Sequence, residues 1–244
     1  MSGHSKWSQI KRKKEIKDKQ KGTIFSKLSR LITLAVVEGG GISDPEKNIK
    51  LRLAVEKAKA ENMPKENIKR AIDNGIGSNK SLIKEVVYEA FGPNKVALII
   101  LTATDNPNRT LAEIRNVLER DGGKLGVKGS VAYLFKKCGI VIFDKTDVPE
   151  DKVFQFAEKI DAFDIDQDGT TFTVYIPFEN LGKVKDNLNG LSPQTTEVDY
   201  KPTSFININN KDSADKILKL VEDLESLEDV SHAFGNFNIA DDCL

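Results

Sequence analysis

The sequence predicts an α+β protein in which an N-terminal three-helix module precedes two α+β domains, one ferredoxin-like and inserted in the other. Three observations carry that prediction. Apolar residues recur at helical spacing from Ile24 to Ile72, β-branched and aromatic residues thicken from Lys84 onward, and residues 139–200 run strand, helix, strand, strand, helix, strand. At 244 residues, 39% apolar and 30% charged, the chain is long enough for two or three domains. Its longest apolar run, residues 96–101, has the length of a buried strand, far short of the roughly 18 residues a membrane span needs. The N-terminus is basic without the apolar stretch of a secretory signal, so a soluble cytoplasmic protein is expected. Cys138 and Cys243 belong to no CxxC pair and read as free thiols.

Residues 1–22 contain only Trp7, Ile10 and Ile16 as large apolar groups and read as a basic arm, mobile or partly helical. Residues 23–80 form the helical module. Ile24, Phe25, Leu28, Leu31, Ile32, Ala35 and Val36 make one stripe that stops at the triple glycine 39–41. Asp44 and Pro45 signal the start of a second helix with Leu51, Ala54, Val55 and Ala58 inward. Pro64 opens a third, with Ile68, Ala71 and Ile72, that Gly75 and Gly77 are expected to end.

EVVYEAF and VALIILTAT around a GPN turn read as a hairpin. A helix then starts at Asn106 and Pro107, or at the capping box from Thr110 to Glu113, and ends near Gly122. GSVAYLF, residues 129–135, reads as a strand. The ferredoxin-like insert covers residues 139–203, with helices at 149–160 and 178–188. The outer domain is discontinuous, 81–138 plus 204–244, closed by a helix at 213–227 and a strand near 230–236.

Charge is distributed very unevenly. The first thirty residues carry ten Lys/Arg against two Asp/Glu, and residues 1–80 hold 19 and 9; residues 81–244 hold 18 and 28, so the whole chain has formal net charge +0. A cationic end on a neutral protein attracts phosphate. Lys6, Lys11, Arg12, Lys13, Lys14, Lys17, Lys19 and Lys21 are candidate phosphate contacts, and Lys27 and Arg30 extend the run. Trp7 is a candidate for stacking on an unpaired base, or else an anchor holding the arm to the module. The second and third helices carry Lys57, Lys59, Lys65, Lys69 and Arg70 in a layout like a helix-turn-helix, although Glu56, Glu61, Glu66 and Asp73 favour backbone contact over base reading. Arg109 stands beside a strand end that leads into a capped helix, a place for a backbone–phosphate contact.

Long motifs in order resemble the YebC/PmpR family: GHSKW, IFSKLSRLI, EGGG, RLAVEKAKAENMPKENIKRAI, YEAFGP, TDNPNRT and GGKLGVKGSVAYLF. The arm differs locally, reading IKRKK where the family often has a histidine after Ile-Lys, and Ile42 and Ser43 lengthen the loop after the glycines. The resemblance implies a three-domain, non-enzymatic cytoplasmic protein that binds DNA as a transcriptional regulator. A mitochondrial branch of the family activates translation, which makes an RNA- or ribosome-associated translation factor the alternative. The partners expected are duplex DNA or ribosomal or transfer RNA, with ribosome or transcription machinery reached through the acidic domains, and no membrane.

No cofactor and no metal are expected. Glycines 122, 123, 126 and 129 follow a helix and precede a strand, the reverse of a phosphate loop. His4 and His232 stand alone, so a zinc site or histidine-based triad lacks its parts. Asp161, Asp164, Asp166 and Asp168 read as a solvated acidic rim; a metal-dependent hydrolase built on them is the remote alternative.

Overall fold

The computed structural model describes residues 18–76, 82–240 and 243. Helices α1 (Asp18–Glu38), α2 (Ile49–Ala60) and α3 (Lys65–Ile76) come first. They enclose a core of Leu28, Ile32, Val36, Leu51, Val55, Ile68 and their neighbours. α1 ends because Gly40 turns left-handed at φ +70°, letting the Gly41 amide donate back to the Val36 carbonyl at 2.9 Å. Asn62, at φ +57°, ends α2 in the same way, with Met63 donating to Ala58.

Three sequence expectations change in this region. α1 begins at Asp18, so an arm ending at residue 22 overlaps its first turn. The N-cap of α2 is Asn48, whose side chain accepts from the Leu51 amide at 3.1 Å, while Asp44 caps only a local turn through Glu46. Gly75 lies inside α3 rather than ending it. A Cβ there would stand 2.6 Å from the Val36 Cβ, so the glycine permits the close approach of α1 and α3.

The first sheet has the order β3-β1-β2-β9, from β1 (Lys84–Phe91), β2 (Ala97–Thr104), β3 (Lys124–Leu125) and β9 (Val230–Gly235). α4 (Pro107–Arg120) and α7 (Lys211–Ser226) cover one face through Leu98, Ile100, Ile114, Leu118, Ile217 and Leu220. Its other face packs Ala97, Ile99 and Phe234 against Val131, Phe135 and Tyr200. The N-cap of α4 is Asn106, which accepts from the Arg109 amide at 3.2 Å; Thr110 lies one turn inside.

β4 (Phe135–Asp144), β5 (Asp164–Gln167), β6 (Thr171–Pro177) and β7 (Thr195–Pro202) form a second, wholly antiparallel sheet in the order β5-β6-β4-β7. α5 (Glu150–Lys159) and α6 (Val184–Asn187) complete the ferredoxin-like unit. β9 pairs with β2 only after this second sheet is finished, so the fold is α+β with one unit inserted in the other.

GSVAYLF is not a strand. Residues 132–134 form a 3-10 turn, and Phe135 already belongs to β4, pairing with Pro202. The expected helix over 178–188 is a 3-10 segment, Phe178–Lys183, followed by the single turn of α6. Two strands of three residues, β8 (Ile206–Ile208) and β10 (Phe237–Ile239), pair in parallel and were not anticipated. Among the described residues no helix is long and apolar enough to cross a membrane.

Candidate nucleic-acid interface

α1 and α3 pack side by side, joined by the Thr33 hydroxyl donating to the Ala71 carbonyl at 2.8 Å. Between them opens a groove of about 500 Å³ whose wall is mostly polar: Ser26, Ser29, Arg30 and Thr33 from α1, Asn67, Arg70 and Asn74 from α3, and Glu228 from the α+β part. Gly22 stands at this groove, so α1 leads the chain from the basic N-terminal segment into its wall.

The candidate cations divide into two sets. Lys59, Lys65, Lys69 and Arg70 are exposed and form no ion pair within 4 Å among the described residues. The second set is occupied. Lys27 donates to the Glu225 carbonyl at the end of α7. Arg30 pairs with Glu228 at 3.1 Å, Asp229 at 3.3 Å and Asp105 at 3.8 Å. Arg109 pairs with Asp105 and with Asp229, each at 2.8 Å. Lys57 reaches both Glu197 and the His232 Nε2 at 2.9 Å. Each of these cations draws on an acid or carbonyl of the α+β part, and the contacts made by Lys27, Arg30 and Lys57 tie the helical module to it.

Asp229 is the centre of one such junction. Only 2% exposed, its Oδ2 accepts from Thr110 at 2.6 Å, Arg109 at 2.8 Å and Thr104 at 3.1 Å. Burial would raise its pKa, but these donors and the Arg30 charge hold it below the usual carboxylate range. At the start of α4, Thr104 accepts from the Asn106 amide and Asn106 from that of Arg109. His232 marks the second junction, where α2, β7, α7 and β9 meet. Burial and the Lys57 ammonium push it below its ordinary pKa, and the Nδ1–H tautomer fits, with Glu225 3.4 Å away.

Two family models match the chain: the TACO1/YebC protein N-terminal domain over residues 5–78, and the TACO1/YebC second and third domain over residues 83–237. The chain belongs to the TACO1/YebC family. A probable transcriptional regulatory protein of Halothermothrix orenii is 41% identical, with 100% of this chain and 98% of the relative covered. Another protein of that description, from Aquifex aeolicus, is 40% identical over 100% of this chain and 98% of its own length. Among solved structures, a conserved hypothetical protein from Aquifex aeolicus, Aq1575, superposes with TM-score 0.83 at 39% identity, covering 92% of this chain and 93% of its own.

Within this YebC-family chain, Lys6, Trp7, Lys11, Arg12, Lys13, Lys14 and Lys17 lie outside the described residues, while Lys19 and Lys21 fall in the first turn of α1. Of the acidic string, Asp164 and Asp166 face Lys201 at 2.7 and 3.4 Å, and Asp168 accepts from the amides of Thr170 and Thr171. Among the described residues no three His, Cys, Asp or Glu side chains converge in a way that suits a metal ion. Both cysteines are buried, and burial pushes the Cys138 thiol up to about 12. Apart from Asp105, four residues before Arg109, the acids that claim Arg30, Lys57 and Arg109 lie far from them in the chain, which is why sequence reasoning missed Asp229, Glu228 and Glu197.

Proposed function

We propose that this protein is a non-enzymatic, cytoplasmic, nucleic-acid-binding regulator of gene expression that grips phosphate with residues 1–17 and the exposed face of α3. The observation that carries the reading is the division of its cations. Lys27, Arg30, Lys57 and Arg109 are held by the anionic α+β part, whereas Lys59, Lys65, Lys69 and Arg70 stay exposed, Arg70 at the groove that α1 joins to the basic N-terminus. Exposed lysines of this kind release counterions on binding a polyanion. The net negative charge of residues 81–244 disfavours phosphate over most of the remaining domains.

Relatives named as probable transcriptional regulatory proteins support a DNA ligand and a role in transcription. An RNA ligand, in a translation factor, is the second reading, favoured by an exposed aromatic residue on a basic loop, Tyr133. Crosslinking in cells followed by sequencing of the bound nucleic acid separates them: promoter DNA supports the first and ribosomal or transfer RNA the second. Recovery of neither overturns both.

A further inference from the structure

The anionic half of the chain contains one acid-free basic stretch. Residues 122–137 include Lys124, Lys128, Lys136 and Lys137 and no Asp or Glu. Part of this stretch is a loop fixed from beneath. The Ser130 amide closes a turn on the Val127 carbonyl at 3.1 Å, with Gly129 left-handed at φ +85° in its third position. Below the turn, the buried carboxylate of Glu89 accepts from the amides of Gly129, Val131 and Ala132 at 2.5, 2.7 and 2.9 Å. Burial opposes its ionisation, but the three amides and the Lys128 charge outweigh that and lower its pKa. Val131 and Phe135 sink into the core, leaving Val127 78% and Tyr133 73% exposed. A tyrosine this exposed contributes little to packing, and the backbone that presents it is already ordered, so binding through it costs little further entropy.

We propose that this loop is a second nucleic-acid contact, at which Tyr133 stacks on an unpaired base of a single-stranded RNA segment while Lys124 and Lys128 neutralise the flanking phosphates. The inference rests on the nucleic-acid-binding function proposed above and names a ligand feature that function leaves open. Stacking needs an unpaired base, because bases inside a duplex already stack on one another. Charge favours nucleic acid over a protein partner at this point, since Lys124 and Lys128 are exposed while Glu89, the carboxylate closest to the turn, is buried under it. The loop lies at the Phe91 end of β1, whereas Arg30 and Asp105 meet beside its Lys84 end. The groove that Arg30 lines and this loop therefore lie towards opposite ends of one strand.

The test titrates the full chain with a single-stranded RNA of about 12 nucleotides and, separately, with duplex DNA. Tyr133→Ala is expected to weaken RNA binding about 5- to 150-fold with little change in salt dependence. Tyr133→Phe keeps the ring face and is expected to bind like the parent. Lys128→Ala is expected to lower the salt slope on RNA by about 0.7. Parent-like RNA affinity in Tyr133→Ala overturns the loop contact, as does an equal loss in Tyr133→Phe or an equal loss on duplex DNA. Failure of the parent chain to bind either nucleic acid instead overturns the function on which the inference rests.

Discussion

Arg30 on α1 sets its Nη1 3.3 Å from Oδ1 of Asp229, the one oxygen of that carboxylate that no hydrogen bond reaches. Its other oxygen accepts from Thr104, Arg109 and Thr110, so one buried acid ties the helical module to the strand end and helix start of the first sheet. Replacing it with Ala leaves Arg30 and Arg109 to share Asp105 and takes one acceptor from the buried hydroxyls of Thr104 and Thr110. Asp229→Ala is expected to cost about 3 kcal/mol in urea unfolding. The sign with pH follows from the lowered pKa: the contribution is complete above the unfolded value of about 4 and is lost as pH falls through the folded one. Parent-like stability at neutral pH would contradict this account of the junction.

His232 makes the opposite kind of group pH-sensitive. Its folded pKa lies below the ordinary value, so the unfolded chain binds the proton more readily and stability rises with pH up to about 6.5. Lys57→Ala removes one of the two causes of that depression and is expected to raise the His232 pKa. Only His4 shares its residue type, so imidazole proton resonances followed against pH read the change directly.

Glu89→Ala is expected to release the loop rather than the whole fold. Amide hydrogen exchange should accelerate at Gly129, Val131 and Ala132, with a global loss of about 3 kcal/mol or less. Unchanged exchange at those three amides would show that the carboxylate does not order the turn.

Hydrogen bonding sets where the inserted unit is expected to begin. β4 starts at Phe135, and residues 135–138 pair with Asp199 through Pro202 on β7. A fragment of residues 135–203 is expected to fold alone with dispersed amide resonances, and one of residues 139–203 to be less stable for want of that pairing. A collapsed spectrum for 135–203 would show that this sheet depends on its neighbours.

What could be read in advance follows from how local each signal is. The stripe from Ile24 to Val36 and the unbroken apolar run of β2 describe their elements because every residue needed lies within one segment. GSVAYLF misled because Val131, Tyr133 and Phe135 alternate as one face of a strand would, yet Glu89, far back in the chain, captures the local amides and turns Tyr133 outward. The same limit governs the interface. The basic run was plain in the sequence, but Arg30, Lys57 and Arg109 could be told from Lys65, Lys69 and Arg70 only once folding had brought Asp229 and Glu197 to the first three.

That division is the central claim, and the salt dependence of binding tests it most directly. With about five phosphates neutralised on duplex DNA, affinity is expected to fall roughly 500-fold between about 50 and 200 mM salt. Replacing Lys65, Lys69 and Arg70 together with Ala should lower the slope of log affinity against log salt by up to about 2.7, with the fold unchanged. Arg109→Ala should lower thermal stability and leave the slope where it was. A slope untouched by the triple replacement but reduced by Arg109→Ala would mean that the cations have been assigned the wrong way round.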